Sequence, residues 1–211
     1  MIAVIDYGAG NLRSVNTALA HIGAQAYTAA QADELLRADA AILPGVGAFG
    51  DAMAQLSARG LDEAVRAFAA SGRPLLGICL GLQLFFERSE ESPGVPGLGL
   101  LPGVVRRIPD GALKVPQIGW NCLHIEKRDG LLRGIRDGEY VYFVHSYYLE
   151  AANRADVSAT TDYGVRVDAA VERDNLYAAQ FHPEKSGEAG LLMLQNFARI
   201  AADVERRAAT C

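Results

Sequence analysis

The chain has 211 residues, of which 50% are hydrophobic, 8% aromatic and 21% charged. That composition excludes a disordered tail, a collagen-like repeat and a coiled coil. Twenty-five acidic against twenty basic residues give a formal charge of -5, and the signs are interspersed, so no clustered basic face points to nucleic acid.

A chain of this length fits one domain, residues 1–211, able to bury about 70% of its unfolded surface. Even the most apolar stretch, Pro74 to Phe86, is too short for a membrane span and contains Gln83. The N-terminus MIAVIDYGAG has no basic segment followed by a long apolar one, so no signal peptide is expected. Cys79, Cys122 and Cys211 are odd in number and widely spaced, which argues against a disulfide framework and a zinc site. The expectation is a cytoplasmic protein with free thiols and neither metal nor cofactor.

In chain order, Ile2 to Ile5 reads as a buried strand and Leu12 to Ile22 as a helix, with Ala40 to Leu43 as a second strand. Helical segments follow at Asp51 to Leu56 and Leu61 to Ala70. A third strand, Pro74 to Cys79, then runs directly into an apolar helix from Leu80 to about Arg88. Alternation of this kind predicts parallel strands joined by crossover helices. Later, Leu123 to Ile125, Tyr140 to His145 and Leu176 to Phe181 read as strands with few helices between them, which suits antiparallel additions to the sheet. A last helix runs from Ala189 to about Arg206, with Leu191, Leu194, Ala198 and Ala201 on one face. The fold class is a three-layer α/β/α domain with a mixed, mostly parallel sheet.

Gly77-Ile-Cys-Leu-Gly81 lies where the third strand meets its helix, and it has the form of a nucleophile elbow with cysteine in place of serine. Flanking glycines relieve crowding in a sharp turn, and a helix N-terminus favours thiolate over thiol. The Leu80 N–H is then placed to meet an oxyanion. The competing reading makes Cys79 a small buried hydrophobe. Cys122 and the terminal Cys211 have no such setting.

Of four histidines, His21 on a helix and His124 in a short strand read as structural or exposed. His145 ends one strand. His182 ends another and is followed by Pro183 and Glu184. Proline biases its predecessor towards extended backbone, and residues i and i+2 of an extended chain share a face. Glu184 can therefore accept from Nδ1 and leave Nε2 to work on a sulfur, the arrangement of nucleophile, base and orienter. On spacing alone, His182-Pro-Glu184 reads equally as a solvated turn.

Gly45-Val-Gly-Ala-Phe-Gly50 fits G-x-G-x-x-G, but the acidic residues Asp62 and Glu63 fall in a helix rather than at the next strand end. The segment Gly45-Val46-Gly47 reads better as a loop whose N–H groups join Leu80 around an oxyanion.

The elbow together with His182-Pro-Glu184 resembles the class I glutamine amidotransferases. Further segments resemble one branch of that family: Asp6 to Leu12, Leu43 to Phe49, Gly119-Trp-Asn121, Phe143 to Tyr147 and His182 to Ser186. Members of that branch release ammonia from glutamine and pass it to a (β/α)8 cyclase subunit. The cyclase forms imidazole glycerol phosphate and an aminoimidazole carboxamide ribotide in histidine biosynthesis. The resemblance implies a flavodoxin-like fold and a heterodimer with the cyclase. It further implies a γ-glutamyl thioester on Cys79, formed and hydrolysed with His182 and Glu184. It implies glutamine contacts from Gln83, Glu91, His145, Ser146 and Tyr147, and a docking face with Asn11, Trp120, Asn121 and Lys185. Where Val46 stands the wider class carries glycine, and a β-branched residue between two glycines lets that peptide rest in more than one orientation. Low basal activity without the liganded partner is therefore expected. Gln117-Ile118 departs from the histidine and methionine common in the branch, a difference expected to touch partner contact.

Three rivals stand beside this reading: a stand-alone cysteine hydrolase or peptidase, a binding module with an idle triad, and a nucleotide-binding module.

Overall fold

The computed structural model describes residues 1–111 and 113–208, with side chains through residue 204; Cys211 lies outside the described residues. The strands are β1 Ile2–Ile5, β2 Ala26–Ala29, β3 Ala40–Gly45, β4 Leu75–Cys79, β5 Arg88–Ser89, β6 Gly103–Arg107 and β7 Gln117–Cys122. They continue as β8 His124–Ile125, β9 Tyr140–His145, β10 Tyr147–Ala151, β11 Val157–Asp162, β12 Arg166–Arg173 and β13 Leu176–Ala179. The helices are α1 Leu12–His21, α2 Ala32–Leu36, α3 Phe49–Ala58, α4 Leu61–Ala70, α5 Leu80–Leu84 and α6 Gly187–Ala208.

The central sheet has the order β2-β1-β3-β4-β13-β12-β11-β8. From β2 to β13 the pairs are parallel; β12, β11 and β8 then add antiparallel. Every residue of β1, β3, β4 and β13 is buried. That is why these strands read as unbroken apolar runs: a parallel strand is covered on both faces. Alternate residues serve opposite layers. Ala3, Ile5, Leu43 and Leu75 pack with α3 and α4 through Leu56, Val65 and Phe68. Val4, Ile42, Leu76 and Ile78 pack with α1 and α6 through Val15, Leu19, Leu194 and Phe197. Each fully buried side chain of this size contributes about 1.5–3 kcal/mol.

The structure departs from expectation at four points. The helix after Cys79 stops at Leu84. The carbonyls of Leu84, Phe85 and Phe86 are taken by the N–H groups of Leu98, Leu100 and Gly99, and that of Glu87 by Gly97, so the chain turns back instead of continuing the helix to Arg88. Tyr140–His145 does not extend the central sheet; it pairs antiparallel with β7 in a separate two-stranded ribbon. A third sheet, β10-β6-β5, stands apart from both. On α6 the buried face is Met193, Leu194, Phe197 and Ala201, while Leu191 and Ala198 are only partly covered.

Candidate active site

The elbow at Cys79 is built by β4 and α5. Cys79 has φ 55° and ψ -109°, a left-handed backbone that an L residue holds only at a cost of about 1–3 kcal/mol. The flanking glycines are required by close approach rather than by their own angles. A Cβ on Gly77 would lie 2.7 Å from the Gly81 carbonyl oxygen, and one on Gly81 would collide with the Leu43 carbonyl oxygen. The elbow is therefore pressed between its own turn and β3.

Cys79 and His182 line one cleft of about 300 Å³, with Val46, Gly47, Leu80, Gln83, Glu91, Pro116, Val144, His145, Ser146 and Tyr147. All five residues expected to contact glutamine thus line the same cleft as Cys79. Gly45 does not reach the cleft. It is buried in β3 opposite Cys79, where a Cβ would meet Leu80, Gly81 and the Tyr7 hydroxyl at 2.8 to 2.9 Å. Beyond it Val46 is 42% exposed and Gly47 adopts φ 93°.

His182 is held from two sides. Its N–H donates to the Tyr142 carbonyl at 2.9 Å, and its own carbonyl accepts from Ser186 Oγ at 2.7 Å. Nδ1 lies 2.8 Å from Glu184 Oε1, and these two side chains are 2% and 1% exposed. Nε2 is buried without a formed hydrogen bond. Burial pushes this ring's pKa down, but interaction with the Cys79 sulfur and the Glu184 carboxylate pushes it up further, to about 9. The ring is thus poised to hold a proton taken from the thiol.

His145 sits in the same cleft with the opposite tendency. Its pKa is lowered to about 4 by burial, against the Tyr147 carbonyl and with help from the charge of His182. A neutral imidazole has one N–H. Nδ1, at 2.9 Å from the Tyr147 carbonyl, must carry it. Nε2 lies 3.0 Å from Gln117 Oε1, and a neutral ring with its proton on Nδ1 accepts there once that amide is turned end for end to offer its NH2. Gln117 is 2% exposed. Of the pair Gln117-Ile118, the first therefore bears on His145, while Ile118 lies on the outer surface.

Gln83 Nε2 donates to the Tyr147 carbonyl and to Gln180 Oε1, each at 3.0 Å. Both N–H groups are committed, which leaves an acceptor oxygen for the cleft. Glu91 Oε2 accepts from the Phe49 N–H at 2.8 Å, supplying the cap that Ala48 cannot give to α3.

The outer face of the β7–β9 ribbon carries Ile118, Trp120 and Tyr140, exposed by 64%, 56% and 58%. Trp120 packs edge-on to Tyr142 with ring centres 6.1 Å apart, and Lys185 Nζ lies 5.8 Å from the Tyr142 ring. Trp120 and Lys185 are both exposed. The Asn11 side chain instead caps α1 through the Ser14 N–H, and that of Asn121 bonds the Asp162 carbonyl and the Cys122 N–H. His21 is exposed and His124 faces Asp162 at 3.5 Å, both away from the cleft.

The family pattern described as Glutamine amidotransferase class-I matches residues 3–201. The chain belongs to the class I glutamine amidotransferase family. It is 57% identical over 200 residues to "Imidazole glycerol phosphate synthase subunit HisH" of Methanothermobacter thermautotrophicus, covering 95% of this chain and 98% of that one. It is 50% identical over 197 residues to the protein of the same name from Bacillus cereus, covering 93% of each. A crystal structure titled as a glutamine amidotransferase superposes with a TM-score of 0.76 at 21% identity, over 95% of this chain and 98% of the other. The fold class expected from the strand and helix pattern is thereby shown.

Sequence reasoning missed Gln180, Val144, Pro116 and Ser186. Gln180 left one signal: a polar residue inside the apolar run Leu176 to Phe181.

Proposed function

We propose that this chain, as a single 211-residue domain, is the glutaminase subunit of an imidazole glycerol phosphate synthase, acting in the cytoplasm in histidine biosynthesis. The observation that carries the reading is one cleft lined by a strained cysteine at a helix start and by a buried histidine bound to Glu184. The names of its relatives make each of them one subunit of a synthase, and the partner proposed here is a (β/α)8 cyclase, in a heterodimer.

His182 Nε2 takes the Cys79 proton, and the thiolate attacks the glutamine carboxamide carbon. The Leu80 N–H and the Val46–Gly47 segment, supported from β3 by Gly45, hold the oxyanion. His182 then protonates the departing nitrogen, and ammonia leaves behind a γ-glutamyl thioester. Water, deprotonated by the same ring, attacks the thioester, releasing glutamate and returning the proton to sulfur. Glu184 fixes the tautomer and stabilises the imidazolium. Gln83 Oε1 and Glu91 suit the substrate's ammonium, while His145, Ser146 and Tyr147 shape the wall opposite. Ammonia has a lone pair to attack with and ammonium has none, so delivery must be dry. The apolar face of Ile118, Trp120, Tyr140 and Tyr142, with Lys185 beside it and Asn11 and Asn121 at its margins, is the docking surface.

The exposed Val46 peptide leaves the oxyanion site incompletely held in the free subunit, so partner and partner ligand should raise the rate. Glutamate release by the purified chain, measured with and without the liganded cyclase, tests this. A rise on adding both is expected; equal rates would contradict activation, and no glutamate under any condition would contradict the function.

A further inference from the structure

The strongest group outside the expected triad is Gln180. Its side chain is 0% exposed, and its Nε2 lies 3.8 Å from Cys79 Sγ, within reach for a hydrogen bond to sulfur. The amide cannot swap its ends freely. Its Oε1 accepts from Gln83 Nε2 at 3.0 Å, and Gln83 is oriented in turn by the Tyr147 carbonyl, which can only accept. The relay Tyr147–Gln83–Gln180 thus commits the amide N–H of Gln180 to the sulfur.

The sulfur also faces the Val144 carbonyl at 3.9 Å. That carbonyl suits a thiol, which has a proton to donate, and repels a thiolate. Gln180 suits the thiolate. When the proton passes to His182, the carbonyl has no proton left to accept, and the sulfur is served by two side-chain donors, the imidazolium and Gln180.

We propose that Gln180 is a further catalytic residue, a hydrogen-bond donor that stabilises the Cys79 thiolate before attack and again when the thioester is cleaved. Both steps end or begin with a negative sulfur. The same relay ties the substrate contact Gln83 to the nucleophile. The inference deepens the glutaminase reading, but its test needs neither glutamine turnover nor a partner.

The test is the rate of Cys79 alkylation by iodoacetamide in the full-length native chain and in Gln180→Leu and Gln180→Glu. The second variant keeps the shape and still accepts from Gln83, so it guards against loss of fold. Both should be alkylated about tenfold more slowly at about pH 7, because a hydrogen bond to a charged group is lost. The deficit should shrink as the pH is raised to about 9, where thiols ionise without help. Native-like rates at neutral pH in a folded variant would overturn the proposal. So would a deficit unchanged at high pH, which signals a blocked cleft.

Discussion

His182 Nδ1 and Glu184 Oε1 lie 2.8 Å apart across a single proline, with both side chains all but sealed from solvent. A carboxylate so placed can only accept, so it fixes the proton on Nδ1 and frees Nε2 for the sulfur. Glu184→Gln keeps the shape but offers an NH2 that favours the wrong tautomer. We expect kcat to fall by about 10²–10⁴ with little change in KM. Steady-state kinetics of the complex checks this, and a loss under about threefold would remove Glu184 from the mechanism.

Gly81 rests against the Leu43 backbone so closely that no side chain fits. Gly81→Ala must push α5 off β3, at a cost of about 2–3 kcal/mol or more. Denaturant unfolding should show that loss together with slower glutaminase activity. Native stability in the variant would mean that the elbow is looser than described.

The two cleft histidines act on stability in opposite directions. His145 has a pKa lowered from 6.5 to about 4, so the unfolded chain binds more protons between those values. Stability is therefore lost as pH falls through that window, by at most on the order of 3 kcal/mol. His182, raised to about 9, contributes stability that is complete below 6.5 and is lost as pH rises through about 9. His145→Gln should flatten the acid side of the stability curve and leave the alkaline side unchanged. An acid limb as steep as the native one would contradict a neutral buried His145.

Across the ribbon Trp120 pairs with Tyr142 and Gly119 with Phe143, so Trp120 and Phe143 lie one step apart on opposite faces, the first exposed and the second buried. Trp120→Ala should change stability by no more than about 0.5 kcal/mol. The same change should weaken cyclase binding about 30-fold. Phe143→Ala should cost about 3–5 kcal/mol of folding stability. Calorimetric titration and thermal unfolding separate the two, and unaltered cyclase affinity in Trp120→Ala would remove the ribbon's outer face as the docking surface.

The ribbon also shows where the sequence could not be read. In β7 the apolar Ile118 and Trp120 point outward, while the polar Gln117 points inward at His145. Hydrophobic alternation there is inverted, so a rule that puts apolar residues inside gives no strand with the right faces. The parallel core was legible because β1, β3 and β4 are covered on both faces and punctuated by glycine. The elbow and His182-Pro-Glu184 were legible because each is a local pattern. Gln180 was not, since its role depends on Gln83, 97 residues earlier, and on Tyr147.

The central claim is that the Cys79 sulfur attacks a glutamine side chain. Mass spectrometry after incubation with a glutamine-like electrophile, such as a diazoketone analogue, tests it most directly. One adduct is expected, on Cys79, suppressed by excess glutamine, with the partly buried Cys122 unmodified. Modification of Cys122 alone, or labelling of Cys79 that glutamine does not protect, would contradict it.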